Sequence, residues 1–169
     1  VDLASSQKQS ADYRVVLTVA VNKENHWFLL DCQFGRWDPT ETMDKIFDAV
    51  VKYRPLAVGI EKVGYQAVLE HFLQKEMPKR NIFFVVKPLI ADKKKELRIA
   101  TMQPRFSSGT VWFPECHQCL TELEGELMSF TMDGCKAKHD DLIDALAYME
   151  QIATPPSGSY GTVSTEDIP

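Results

Sequence analysis

Leu56-Ala57-Val58-Gly59-Ile60-Glu61 is the stretch on which the fold turns. It is a short apolar run without polar alternation, the composition of a strand covered on both faces, and such strands belong to parallel pairs in α/β sheets. Upstream the pattern is different. Val15-Val16-Leu17-Thr18-Val19-Ala20-Val21 is apolar and β-branched, Asn22-Lys23-Glu24-Asn25 has turn composition, and His26-Trp27-Phe28-Leu29-Leu30-Asp31-Cys32 resumes as strand. Together they predict an antiparallel hairpin. Val1-Asp2-Leu3-Ala4 reads as the end of one more strand, giving three in a meander. Asp38-Pro39-Thr40-Glu41 then announces a helix, with Asp38 or Thr40 as its cap. Met43, Ile46, Phe47, Val50 and Val51 follow at helical spacing as far as Pro55.

Downstream of Glu61, residues 64–75 read as a helix with Val68, Leu69 and Phe72 on one face, and residues 82–86 as a second buried strand. Residues 92–102 form a charged helix stopped by Pro104, and Ser107-Ser108-Gly109 turns into a short strand over 110–113. Two more helices are expected over 115–130 and 140–152. A meander followed by βαβ crossovers specifies an α/β fold, a mixed sheet of antiparallel and parallel strands with helices on both faces. The 169 residues suit one domain, placed at residues 1–152. Residues 153–169 are rich in Pro, Gly, Ser and Thr, carry no Lys or Arg, and are expected to be a disordered tail.

Several function classes fall away. No apolar run approaches the roughly 18 residues of a membrane-spanning helix, and no basic region precedes an apolar one at the N-terminus. The start on Val1 reads as an excised piece of a longer chain. With no export signal the expected location is intracellular, in the cytoplasm, where Cys32, Cys116, Cys119 and Cys135 stay reduced. A GxxxxGK[ST] loop is absent, which excludes ATP hydrolysis by this piece, and so is a GxSxG elbow. The net charge of −5 is unevenly spread. Between Lys75 and Arg105 nine cations face three acids, leaving +6 in a stripe that includes Lys93, Lys94, Lys95, Arg98 and Arg105. A basic stripe beside an acidic remainder suits an enzyme that grips phosphate and holds a divalent cation, although solvated helix faces carry such runs too.

Three places concentrate acid. Asp2 follows a strand end, Glu61 follows a buried strand, and Lys138-His139-Asp140-Asp141-Leu142-Ile143-Asp144 puts three carboxylates in one helical turn. Asp140 and Asp141 equally suit a helix N-terminus as dipole-matching caps. Taken together, oxygen-rich sites select hard cations such as Mg²⁺ or Mn²⁺, and two such ions about 4 Å apart serve phosphodiester cleavage. A second metal reading is open. Cys116-x-x-Cys119, Cys135 and His139, with His117 spare, have zinc spacing. The same cysteines begin an amphipathic helix with Leu120, Leu123 and Leu127, where a buried thiol is ordinary packing.

These fragments in this order resemble the C-terminal nuclease domain of the large terminase subunit of tailed phages. The resemblance runs over residues 1–152 and rests on Val1-Asp2-Leu3-Ala4, Ser10-Ala11-Asp12-Tyr13, Leu30-Asp31 with Gly35-Arg36, and Gly59-Ile60-Glu61. It continues with Asp92-Lys93-Lys94-Lys95 and Arg98-Ile99, Pro104-Arg105-Phe106-Ser107-Ser108-Gly109, and His139 through Leu146. The resemblance implies an RNase H-like fold and a two-metal endonuclease cutting concatemeric duplex DNA with little sequence preference, using two Mg²⁺ or Mn²⁺ ions. It maps the catalytic and metal-binding acids onto Asp2, Glu61 and Asp141, with Asp140, Asp144 and His139 as alternates for the last. Asp2 would bridge the two ions, and Lys93, Lys94, Lys95, Arg98 and Arg105 would hold the DNA backbone. The implied partners are double-stranded DNA, the ATPase domain of the packaging motor, the portal and the small terminase subunit. Two other readings remain at this point. One is an RNase H-like junction resolvase or transposase relative, and the other a non-catalytic docking module, zinc-stabilised or derived from a degenerate nuclease.

Overall fold

A computed structural model describes residues 13–62, 66–115, 119–135, 137 and 139–156. The expected strand at residues 1–4 with Asp2, the potential zinc ligands Cys116 and His117, and residues 157–169 of the expected tail lie outside the described residues. The hairpin forms as predicted. Strand β1 (Arg14–Val21) runs antiparallel to β2 (Trp27–Gly35), with Arg14 opposite Gly35 and Val21 opposite Trp27. Asn25 takes the left-handed conformation at φ 63°, which Asn tolerates better than most residues, and Asn22 Oδ1 accepts the His26 N–H at 2.8 Å. The register slips once. Thr18 faces Asp31 but Val19 faces Leu29, so Leu30 is an extra residue on β2. This bulge reverses the strand's alternation. Trp27, Leu29 and Cys32 therefore enter the same core, and the buried Asp31 sits 3.8 Å from Lys52 of the first helix.

That helix, α1 (Pro39–Tyr53), starts from a capping box. Asp38 Oδ1 accepts the Glu41 N–H and Glu41 Oε2 accepts the Asp38 N–H, each at 2.8 Å. It ends at Arg54 in the left-handed region. Strand β3 (Val58–Glu61) follows and pairs parallel with β4 (Val86–Leu89), Glu61 lying opposite Leu89. Between them α2 (Gln66–Arg80) is longer than expected. Its buried positions include Leu69, Leu73 and Met77, whereas Phe72, expected on the inner face, is 44% exposed. The strand after α2 also begins later than expected, at Val86. Residues 82–85 precede the strand, with Phe83 and Val85 exposed and the Val85 carbonyl accepting the Val58 N–H at 2.8 Å, and Pro88 is accepted because β4 has no partner other than β3 among the described residues.

The charged segment is two short helices rather than one, α3 (Lys95–Ala100) and α4 (Gln103–Ser107), because Pro104 opens the second instead of merely stopping the first. Strand β5 (Val111–Trp112) joins β2 in parallel. Helix α5 (Leu120–Ser129) leads into a small hairpin, β6 (Phe130–Thr131) and β7 (Gly134–Cys135), that sequence patterning does not announce. Helix α6 (Asp141–Ala147) ends in a 3-10 turn, Tyr148–Gln151. The strands thus combine antiparallel and parallel pairing. Adjacent β1 residues point into two different cores. Val15 packs with Trp27, Leu123, Leu142 and Leu146, and Val16 with Ile46, Phe47, Ile60, Leu69 and Leu73. Helices therefore cover both faces, α5 and α6 on one and α1 and α2 on the other, and the expected α/β architecture is present.

Candidate active site

Strand β3 ends at Glu61, and helix α6, which crosses β1, starts at Asp141. Residues 141–148 are all buried, so every polar group there needs a partner. Asp144 has one in Arg98 of α3. Arg98 Nε donates to Asp144 Oδ1 and Nη2 to Oδ2, both at 2.8 Å, and both side chains are nearly inaccessible at 8% and 5%. The guanidinium also donates to the Lys93 carbonyl at 3.2 Å and lies 4.1 Å from the centre of the Tyr148 ring. Burial opposes the Arg98 charge, but the hydrogen bonds and charge of Asp144 hold its pKa above the ordinary value. The same burial pushes the Asp144 carboxyl upward, and Arg98 and Lys95 pull it back.

Glu61 enters this network from the strand side. Its Oε1 accepts the Tyr148 hydroxyl at 2.5 Å. Burial and the Glu61 charge raise the phenol well beyond its ordinary pKa, so Tyr148 stays a proton donor to the carboxylate. Tyr148 lies four residues after Asp144 and seven after Asp141, on the side of the helix they share.

Lys95 occupies the middle of the helix N-terminus. Its Nζ is 2.6 Å from Asp140 Oδ1, 3.5 Å from Asp141 Oδ1 and 3.6 Å from Asp144 Oδ2. Burial disfavours this ammonium, yet Asp140, Asp144 and Asp141 outweigh it and keep the pKa above that of a free lysine. Asp141 Oδ2 also accepts the Tyr13 N–H at 2.9 Å. The His139 ring stacks obliquely on Tyr13, centroids 4.3 Å apart, with Nδ1 3.9 Å from Asp141 Oδ2.

Asp141 and Asp144 lie in the first turn of α6, where their charge suits the helix dipole. Asp140 stands at the N-cap but makes no side-chain capping bond. The role belongs to Glu126 of α5, whose Oε2 accepts the N–H groups of Leu142 and Ile143 at 2.9 Å each. Glu126 is 3% exposed, and burial together with the charges of Asp141 and Asp140 lifts its pKa to about 7, against the pull of the two N–H groups. The sequence does carry a signal for it. Glu126 lies three residues after Leu123 on the stripe that α5 buries, where an acid needs a reason to be.

Of the five cations expected on DNA, Lys93 and Lys94 are exposed beside the site. Lys95 and Arg98 are engaged with the carboxylates. Arg105 is bound to Glu150 at 2.5 Å and to the Asn25 carbonyl at 3.0 Å, over the Trp27 ring. Cys119 is buried in the core with Cys32, and their hydrogen bond plus burial push the Cys32 thiol far above its ordinary range. Of the four expected zinc ligands, only Cys119 and His139 have described side chains, because Cys116 and the Cys135 side chain fall outside the described residues.

Around the start of α6 the carboxyl groups of Glu61, Asp140, Asp141 and Asp144, with Glu126 on the first turn, outnumber the two cations Lys95 and Arg98. Hard oxygen donors with that excess fit a divalent cation. Among the described residues no three His, Cys, Asp or Glu groups converge on one metal position. Asp140 leans on Lys95, and Asp144 is spent on Arg98.

An α/β fold with a mixed sheet of antiparallel and parallel strands is the architecture of an RNase H-like domain. Residues 1–150 match the family of the terminase RNaseH-like domain, and the chain belongs to that family. None of the curated proteins matches it. A terminase domain of this kind is a nuclease-type component that works with DNA and the DNA-packaging machinery, and RNase H-like nucleases generally use divalent metals. No helix among the described residues is long and apolar enough to cross a membrane.

Proposed function

We propose that this domain is a metal-dependent DNA endonuclease of a viral packaging motor, cutting concatemeric duplex DNA with little sequence preference. The observation that carries the reading is the carboxylate-rich network that includes Glu61 and Asp141, in a chain of the terminase RNaseH-like family. Glu61, Asp141 and Asp2 would hold the ions, with Asp140 as the neighbouring acid. The divalent ions, when bound, supply water activation and neutralisation of the departing 3′ oxygen. Tyr148 orients Glu61 by its hydroxyl, the Tyr13 N–H fixes one oxygen of Asp141, and Glu126 pins the helix that carries Asp141. Asp144 has a supporting role, because its two oxygens already bind Arg98. Lys93 and Lys94 would take DNA phosphates, giving affinity without base readout. The remaining partners, the packaging ATPase domain, portal and small subunit, belong to the same proposal.

Cleavage of supercoiled plasmid with Mg²⁺ or Mn²⁺, abolished by EDTA, tests it. Asp141→Asn, Glu61→Gln and Asp2→Asn should each reduce cleavage by at least about 100-fold, the scale of losing a catalytic metal ligand or its orientation. Unchanged cleavage in Asp141→Asn and Glu61→Gln would sink the assignment. Stoichiometric zinc without cleavage would favour the docking module, and a strong preference for branched DNA the junction resolvase.

A further inference from the structure

The two cations in the carboxylate network are not equivalent. Arg98 is locked by two bonds to Asp144, one to the Lys93 carbonyl and the Tyr148 ring. The Lys95 side chain is 29% exposed and reaches its acids through a single charged end, close to Asp140 and longer to Asp141 and Asp144. Lysine is a compact point charge on a flexible stem, so it can leave without disturbing the backbone. Its ammonium stands within 3.6 Å of the Asp140, Asp141 and Asp144 carboxylates at once.

We propose that Lys95 is an internal counter-cation that holds the Asp140–Asp141 carboxylates in place when the domain is metal-free and is displaced when a divalent cation enters. The proposal rests on the metal-dependent reading of the site and adds a competition within it. Like-charged carboxylates crowded in one helical turn repel, and an internal ammonium removes that repulsion until a metal does so instead. Metal affinity is then set below its intrinsic value by the free energy of releasing Lys95, and the freed ammonium becomes available at the mouth of the site.

The test uses the full 169-residue chain. Mn²⁺ affinity is measured by calorimetry for the wild type, Lys95→Met and the remote, charge-matched control Lys23→Met. Removing the internal competitor should tighten Mn²⁺ binding by about tenfold or more in Lys95→Met, with Lys23→Met within about twofold of the wild type because exposed distant charges are screened. Lys95→Met should also melt lower than the wild type in EDTA and regain the difference at saturating Mn²⁺. A second measurement needs no variant. In the wild type, the ¹⁵N signal of the Lys95 ammonium should report a hydrogen-bonded group in EDTA and shift to that of a free lysine as Mg²⁺ is added. Unchanged or weaker Mn²⁺ binding in Lys95→Met, or a Lys95 signal that stays hydrogen-bonded at saturating Mg²⁺, overturns the proposal. If wild type and variant alike take up no metal and cut no DNA, the nuclease reading fails with it. If the wild type binds Mn²⁺ and cuts, and only the competition is missing, that reading survives alone.

Discussion

Replacing Glu126 by Gln should make the domain's stability less dependent on pH, in a defined direction. The Glu126 carboxyl is buried and titrates at about 7 in the folded chain against an ordinary 4.5. Below pH 4.5 it is protonated in both states and contributes no pH dependence. As pH rises from 4.5 to about 7, the unfolded chain releases this proton while the folded chain keeps it, so folding is progressively penalised, and above 7 the penalty is constant. A difference of about two and a half units amounts to roughly 3 kcal/mol. Gln keeps an acceptor for the Leu142 and Ile143 N–H groups and cannot ionise. Near pH 4.5 the variant should therefore lie within about 1 kcal/mol of the wild type, the net worth of one hydrogen bond. By about pH 8 it should have gained roughly 3 kcal/mol relative to the wild type. Urea unfolding of both proteins at about pH 4.5, 6, 7 and 8 in EDTA measures this, provided the denaturant slope is shared. A wild-type-minus-variant difference that stays flat across that range would refute the reasoning, as would a difference of opposite slope.

Other consequences of the network can be checked in the same way. Arg98→Met leaves Asp144 buried without its bidentate partner and should lower stability by about 3–5 kcal/mol in denaturant unfolding. Tyr148→Phe removes a hydrogen bond to the charged Glu61, so a loss of about 1.5–3 kcal/mol is expected, together with slower plasmid cleavage if orientation of Glu61 matters to the chemistry. Lys93→Ala with Lys94→Ala should weaken DNA binding similarly for all sequences and reduce the slope of log affinity against log salt by about 2, near 0.9 for each phosphate no longer neutralised. A slope unchanged in that double variant removes both lysines from the DNA surface.

The parts of this fold that were readable from sequence are those governed by local periodicity. Val15–Val21 and the helix start after Asp38 depend on neighbours within a few residues; the structure has both, and it selects Asp38 rather than Thr40 as the cap. The departures have long-range causes. The bulge at Leu30 comes from pairing with β1, and strand β4 starts at Val86 because its partner Val58 fixes the register. Phe72 faces outward since α2 buries the stripe through Leu69, Leu73 and Met77. In the site, Glu61 was legible as an acid closing a buried strand. Lys95 and Arg98 read only as part of a basic stripe, because their partners lie more than 40 residues away in sequence. Tyr148 could have been found from its helical spacing to Asp141 and Asp144, as Glu126 could from its place on an apolar stripe.

The acids at the start of α6 have two competing explanations, helix capping and cation binding, and the hydrogen bonds bear on the first. If Asp140 and Asp141 served the helix alone, their oxygens would accept the first free N–H groups, as Asp38 does for α1. Instead a carboxylate from α5 takes the N–H groups of Leu142 and Ile143. Asp140 meets the Lys95 ammonium, and Asp141 divides its oxygens between that ammonium and the Tyr13 N–H. Importing a buried acid for a job that a local aspartate performs elsewhere in the same chain adds negative charge to a site already rich in it, which stability alone disfavours. Under the function proposed above, this helix terminus is held open for cations and Lys95 is its occupant at rest. The Glu126→Gln and Lys95→Met variants probe its two halves, the cap and the occupant, and should be non-additive because both groups interact with Asp140 and Asp141.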